Sequence, residues 1–437
     1  MLRGIGQEQE ASASMIILYV MAAIGVLALG MMFYNWLVPD QSEIAPRCMA
    51  VDPPLDGEES ARALSANLDA PLIEGNAIDM LLNGDEIFPA MLDAIRQANH
   101  SVNLLTYIYW EGDIACRFAD ELAAAAQRGV KVRLLVDAVG GGRMAPALVE
   151  QLEQAGCTFC WFRPLRWYNL GRYNDRTHRK VMVVDGRTGF TGGVGIADVW
   201  TGHGQDPDHW RDDHFRVRGP VVRYLQGSFG VNWRQATGEV LAGAALFPDL
   251  ERAGEARIVA IDAAPSIRVS TIGFTYWLFF HGARETIRVT TPYYVPDPRL
   301  HLGLMTAARR GVDATLLVPG PHTDAHIVSL ATKTYYRELL EAGVSIHEYQ
   351  PTMIHTKTVT VDGTIALVGS PNFDTRSFEL NYEEALVAYD PALVEQLDRS
   401  FGEDLTHARR VTLQEVRQWS LFARARHRVA RFLRSQM

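Results

Sequence analysis

The stretch Ile354-His355-Thr356-Lys357-Thr358-Val359-Thr360-Val361-Asp362, continued by Gly369-Ser370-Pro371-Asn372-Phe373-Asp374, decides how this chain is read. It contains His-x-Lys-x4-Asp followed by a Gly-Ser-x-Asn turn. The same frame occurs earlier as His178-Arg179-Lys180, then Asp185, then Gly192-Gly193-Val194-Gly195. The copies are offset by 177 residues, and no gap is needed from His178/His355 to Gly195/Asn372. One match to so short a pattern is weak; two in phase imply a duplication.

Working outward, the flanks repeat as well. Ala98, Ser101, Val102, Leu104, Thr106 and Tyr109 match Ala283, Thr286, Ile287, Val289, Thr291 and Tyr294. Arg128-Gly129-Val130 matches Arg310-Gly311-Val312, and Ala155-Gly156 matches Ala342-Gly343. Strand-like runs at 101–109, 130–136 and 181–184 alternate with helical periodicity at 86–98, 114–127 and 146–155. The reading is an α/β fold of two duplicated halves, 76–245 and 246–405. Each is a mixed sheet flanked by helices, and the halves are related by a pseudo-two-fold axis around one active site.

Outside the halves, residues 1–14 are a short polar segment. Residues 15–38 carry no charge and are long enough to cross a bilayer as a helix, with Tyr19, Tyr34 and Trp36 suited to its interfaces. A cleaved signal peptide and a buried soluble helix are the rival readings. Residues 39–75, with five prolines, read as a linker. Residues 406–437 read as a basic amphipathic tail for an anionic lipid surface, or as a basic helix packed on the domain.

The chain has 437 residues and a net charge of −9. Its last 29 residues hold eight Arg and one Glu, so the body is more acidic still, which argues against a nucleic-acid footprint. Cys157-x-x-Cys160 has no second Cys pair to complete a zinc site, and four cysteines give no disulfide scaffold. Of 42 basic residues only Lys131, Lys180, Lys333 and Lys357 are lysine, yet both motifs keep it. Lys is a compact point charge where Arg is a planar fork, so a site clasping one phosphoryl group favours Lys.

Two His and two Lys carry out phosphodiester chemistry without a metal or other cofactor. One neutral imidazole attacks phosphorus to form a covalent phosphohistidine. The other, protonated, protonates the leaving oxygen and later deprotonates the acceptor. Lys180 and Lys357 hold the phosphoryl oxygens as charge develops; Ser370 and Asn372 add neutral donors. Each imidazole needs a carboxylate to fix its tautomer, and Asp212 and Glu383 stand at matched places after the two motifs. Asp185 and Asp362, between strand and turn residues, are expected to hold the motif backbone. His203, His209 and His214 lack a ligand set and read as loop residues; no metal is expected.

These residues resemble the phospholipase D superfamily, and within it the bacterial cardiolipin synthase branch. The superfamily likeness rests on the duplicated motif. The branch likeness rests on Gly369 through Glu383, on Thr290-Thr291-Pro292-Tyr293-Tyr294-Val295-Pro296-Asp297, on Leu82 through Glu86 and on Thr106-Tyr107-Ile108-Tyr109-Trp110. It covers about residues 76–430. It implies transfer of a phosphatidyl group from phosphatidylglycerol to a second lipid alcohol with release of glycerol, His178 as nucleophile and His355 as general acid/base. It implies partners among anionic phospholipids, cardiolipin included, and residence in the bacterial inner membrane through a single N-terminal span. The family pattern ends its first turn in Asn where this chain has Gly195, so Gly193 and Gly195 are expected to offer backbone N–H groups to phosphate instead. The alternatives are a phospholipase D-type hydrolase, a nuclease and a degenerate membrane scaffold.

Overall fold

The computed structural model describes residue 15 and residues 18–30, 58–164, 175–265 and 270–419. The chain divides into two units, residues 1–49 and 50–437. In the first, residues 18–30 are helical with exposed side chains. The rest of the apolar stretch 15–38 lies outside the described residues, and among those described no helix is long and apolar enough to cross a membrane.

The second unit is built on one mixed sheet. In chain order its first strands are β1 (Leu72–Leu82), β2 (Ser101–Thr106), β3 (Lys131–Asp137), β4 (Thr158–Phe162), β5 (Val181–Val184), β6 (Thr188–Gly192), β7 (Asp213–Arg218) and β8 (Ala256–Ala263). Then come β9 (Thr286–Thr290), β10 (Tyr294–Val295), β11 (Asp313–Pro319), β12 (Ser345–Tyr349), β13 (Thr358–Val361), β14 (Ile365–Gly369), β15 (Phe373–Asp374), β16 (Glu383–Tyr389) and β17 (Ala408–Arg410). The sheet runs β17-β12-β11-β9-β13-β14-β16-β8-β1-β7-β6-β5-β2-β3-β4, with β10 and β15 paired apart. Read outward from β8 and β1, the order on one side repeats that on the other. The central pair is antiparallel, as a two-fold axis between them demands. The two half-sheets therefore merge into one. The 11-residue β1 does the joining, pairing with β8 through Leu72 and Ile73 and with β7 from Ala77 to Leu82.

The inner strands β5, β14 and β16 are buried on both faces, which explains their largely apolar runs. Met182 and Val184 face a core filled by helices Asn83–Gln97 and Asp113–Gln127. Val181 and Val183 face a second core, where Leu225, Phe229 and Trp233 of helix Val222–Thr237 meet Leu393, Val394 and Leu397 of helix Pro391–Thr406. That layer holds residues of both halves and fixes them together.

Two boundaries differ from expectation. Helix Glu58–Leu68 and the start of β1 fall inside the span expected to be linker. Ala61, Leu64 and Leu68 bury in the core of the second half, so this helix is part of the fold. The tail is likewise not one lipid-facing helix at its start. β17 pairs with β12 and helix Leu413–Gln418 buries Val416, with Val411 buried just before it. Residues 420–437, with their five arginines, lie outside the described residues.

Candidate active site

Both motifs start on the same device. β5 and β6, like β13 and β14, are joined through Asp-Gly: Asp185 and Gly186 have φ of 52° and 64°, Asp362 and Gly363 of 50° and 63°. Two successive positive φ values make a type I′ turn, closed by the Arg187 N–H to Val184 O in one copy and Thr364 N–H to Val361 O in the other. The Asp185 carboxylate accepts the N–H groups of Asn99, His100 and Ser101 at 2.7–2.9 Å, and Asp362 those of Arg284, Glu285 and Thr286 at 2.8–2.9 Å. Both aspartates thus tie the motif hairpin to the start of the neighbouring strand, away from the imidazoles.

The histidines precede β5 and β13, where each motif segment pairs with the other half. Thr177 bridges Tyr382, and Arg211 bridges Ile354, both in parallel. The His178 N–H donates to Tyr382 O at 2.9 Å, and the His355 N–H to Arg211 O at 2.7 Å. The carboxylate one residue further along then faces the ring. Glu383 lies 3.0 and 3.1 Å from His178 Nδ1, and Asp212 lies 2.7 Å from His355 Nδ1. The orienters are crossed: each half's imidazole is held by the other half's carboxylate. With Nδ1 as the donor, each Nε2 carries the lone pair.

Lys180 Nζ donates to His178 O at 2.9 Å. Lys357 Nζ donates to His355 O and lies 3.0 and 3.2 Å from the ring nitrogens of His355. All four motif side chains, with Asp212 and Glu383, are buried. Burial sets their protonation. It lowers His178 to about 4, against the pull of Glu383. It takes His355 well below the ordinary imidazole range, and Lys357 and Lys180 lower it further. Burial and the charge of Lys357 bring Lys180 down to about 7, and burial brings Lys357 to about 8 despite Asp212 and Glu383. Burial alone would raise Glu383, but His178, Lys180 and the Ser370 hydroxyl hold it at about 2. Asp212 is raised by burial.

The four expected phosphate contacts divide. Asn372 is buried, and its Oδ1 has no partner among the described residues. Ser370 is spent elsewhere: its hydroxyl donates to Glu383 Oε2 at 2.5 Å and accepts the Glu384 N–H at 3.0 Å. The Gly193 N–H goes to Asp213 O at 3.0 Å, so it is no free donor. A Cβ at 193 would sit 2.0 Å from Asp212 Oδ1, so glycine there makes room for the orienter. A Cβ at 195 would meet Ile108 Cβ at 2.8 Å and the Trp200 ring at 3.0 Å, so this half is packed around the missing side chain.

Several site residues escaped the sequence reading. Trp200 Nε1 donates to Asp212 Oδ2 at 3.0 Å, and the Trp200 and Trp210 rings each lie 5.4 Å from that of His355. Tyr107 packs edge-on to His178 at 5.2 Å. Arg179, between His178 and Lys180, points the other way into full burial, donating to Ser228 O, Asn232 Oδ1 and Ala263 O. Arg211 pairs with Asp213 and with Asp404, locking helix Pro391–Thr406 to the first half. An interior arginine between two motif residues was the one available signal. His214 is not a loop residue: it lies buried in β7, with Nδ1 unpaired among the described residues. His203 and His209 pair with Asp85 and Asp206. Cys157 and Cys160 are free thiols.

The family model described as "Cardiolipin synthase, PLD-like domain" matches residues 91–199 and 279–405, the two motif-bearing segments. A cardiolipin synthase of Geobacillus kaustophilus is 36% identical over 361 residues, 81% of this chain and 71% of its own length. The chain belongs to the cardiolipin synthase family. The major cardiolipin synthase of Bacillus subtilis is 33% identical over 382 residues, covering 86% of this chain and 79% of its own. Among solved structures, a phosphatidylserine synthase of Haemophilus influenzae superposes with a TM-score of 0.65 at 16% identity, over 86% of this chain and all of that one, which establishes a shared fold. Cardiolipin synthase-type phosphatidyl transfer, within the phospholipase D superfamily, is the activity of this chain.

Proposed function

We propose that the protein joins the phosphatidyl group of phosphatidylglycerol to a hydroxyl of a second phospholipid, making cardiolipin and releasing glycerol, through a phosphohistidine on His178. One observation carries this reading: two buried imidazoles, each with Nδ1 held by the opposite half's carboxylate, share a site with two ammonium groups. His178 Nε2 attacks phosphorus as the P–O bond to glycerol breaks, and His355 gives that oxygen a proton. The acceptor hydroxyl then loses its proton to His355 and attacks phosphorus. The P–N bond breaks and His178 is regenerated neutral.

The low basicity of His178 keeps it unprotonated and nucleophilic at neutral pH. His355 takes up its proton as the phosphodiester anion offsets the charges of Lys357 and Lys180, the cations that lower it in the empty site. Those ammoniums stabilise the charge that develops on the phosphoryl oxygens, and Asn372 adds a side-chain amide. Residues 15–38 anchor the enzyme in the bacterial inner membrane, where both substrates reside.

The test is a product assay with phosphatidylglycerol labelled in its phosphatidyl group, in vesicles with and without phosphatidylethanolamine. Labelled cardiolipin with free glycerol is the expected result. Phosphatidic acid alone would make water the acceptor and the enzyme a hydrolase.

A further inference from the structure

The second half carries a polar pair beside the site that the mechanism above leaves unused. The Tyr293 phenol donates to the Asp324 carboxylate, 2.7 and 2.6 Å from its two oxygens. Tyr293 is half-buried and Asp324 exposed, whereas the motif residues behind them are buried. The pair is joined to the segment that precedes His355. Although Asp324 reaches solvent at its edge, its carboxylate is enclosed enough for burial to raise it; the Tyr293 phenol and then Lys357 lower it, and Asp324 in turn raises Lys357. The Asp324 N–H rests on Met353 Sδ at 3.3 Å, and Met353 O accepts the Arg211 N–H, so this loop is tied to the backbone that positions His355.

The first half has no counterpart among the described residues. Thr106 Oγ1 donates to Ile108 O as Thr291 Oγ1 donates to Tyr293 O, which puts Ile108 in the place of Tyr293. The carboxylate at the end of β3, Asp137, is fully buried and turned inward onto the N–H groups of Val139 and Thr177. Among the described residues, an accessible phenol–carboxylate pair therefore stands on the side of His355, the imidazole that handles the alcohol proton. The departing alcohol and the incoming one must occupy that same side of the phosphohistidine, because each meets the same acid/base.

We infer that Tyr293 and Asp324 form the subsite for a polyol headgroup, holding the hydroxyl next to the one that reacts. A hydroxyl donates to the carboxylate and, once the phenol proton turns from Asp324 to the ligand, accepts from the phenol; an ammonium only donates and leaves that phenol proton on Asp324. This assignment rests on the transferase reading above and on His355 as its acid/base. A site built to hydrogen-bond a substrate hydroxyl discriminates against the analogue that lacks it.

The experiment offers the full chain phosphatidylglycerol as donor with 1,2-propanediol, 1-propanol and ethanolamine as competing acceptors, and reads the ratio of phosphatidyl products. Wild type is expected to favour the diol over propanol. Asp324→Asn and Tyr293→Phe should each lower that ratio at least about tenfold. Because the ratio is internal to one reaction, reduced folding or overall rate does not move it. An unchanged ratio in both variants, or a wild type without diol preference, overturns the subsite. Loss of transfer to ethanolamine with the diol ratio intact overturns it in favour of an ammonium site. Phosphatidic acid as the sole wild-type product overturns the transferase reading, and the subsite with it.

Discussion

At the scale of the residue, the site depends on burial deciding charge. Lys180 and Lys357 are lowered to about 7 and about 8, so they lose their protons as pH rises through that range. His178, at about 4, gains a proton only in acid. The kcat/KM profile for phosphatidylglycerol should therefore have an acid limb near pH 4 to 5, and should fall on the alkaline side first as His355 loses the proton it must donate and again near pH 7 to 8 as the lysines lose theirs. The alkaline limb of kcat should lie higher, because bound phosphate stabilises the ammonium form. A flat profile to pH 10 would show that the lysines are not needed charged. Lys357→Arg keeps the charge but not the shape. The ammonium is enclosed against His355, where a planar fork does not fit, and kcat should fall about 100-fold or more. A variant with wild-type turnover would remove the reason for lysine at that place. Trp200→Phe keeps the ring beside His355 and removes the donor to Asp212. It should shift the pH profile more than it changes KM, since Asp212 acts through His355.

At the scale of the element, the motif is a hairpin with a clamp. Asp362 shapes a left-handed turn and takes three backbone N–H groups, so Asp362→Ala should cost about 2 kcal/mol in denaturant unfolding. The loss should appear in stability before it appears in the chemistry of folded enzyme; a variant of wild-type stability and no turnover would contradict the clamp. This element was legible in the sequence because strand residues followed by Asp-Gly make a local signal. The strands of both halves were legible for the same reason, as apolar runs between helical periods. What was not legible came from pairing at a distance. Asp212 and Glu383 stood out as matched positions, but their crossing depends on the bridges Thr177–Tyr382 and Arg211–Ile354, far apart in sequence. Ser370 read as a phosphate donor because its partner Glu383 lies on another strand. Helix Glu58–Leu68 was hidden because its apolar contacts lie in the second half.

At the scale of the whole molecule, the two halves share one sheet, one core layer and one site. Each chain carries both imidazoles and both orienting carboxylates. Mixing inactive His178→Ala with inactive His355→Ala protein should therefore restore no activity, and recovery of activity on mixing would mean that sites form between chains. The claim on which the account turns is that the two imidazoles do different work. Its most direct test is to quench the enzyme in alkali during turnover of labelled phosphatidylglycerol and map the labelled histidine by peptide analysis. The account predicts label on His178, none in His178→Ala, and adduct without turnover to cardiolipin in His355→Ala when an activated phosphatidyl ester replaces the natural donor. Label on His355, or a His178→Ala enzyme that still forms the adduct, would contradict it.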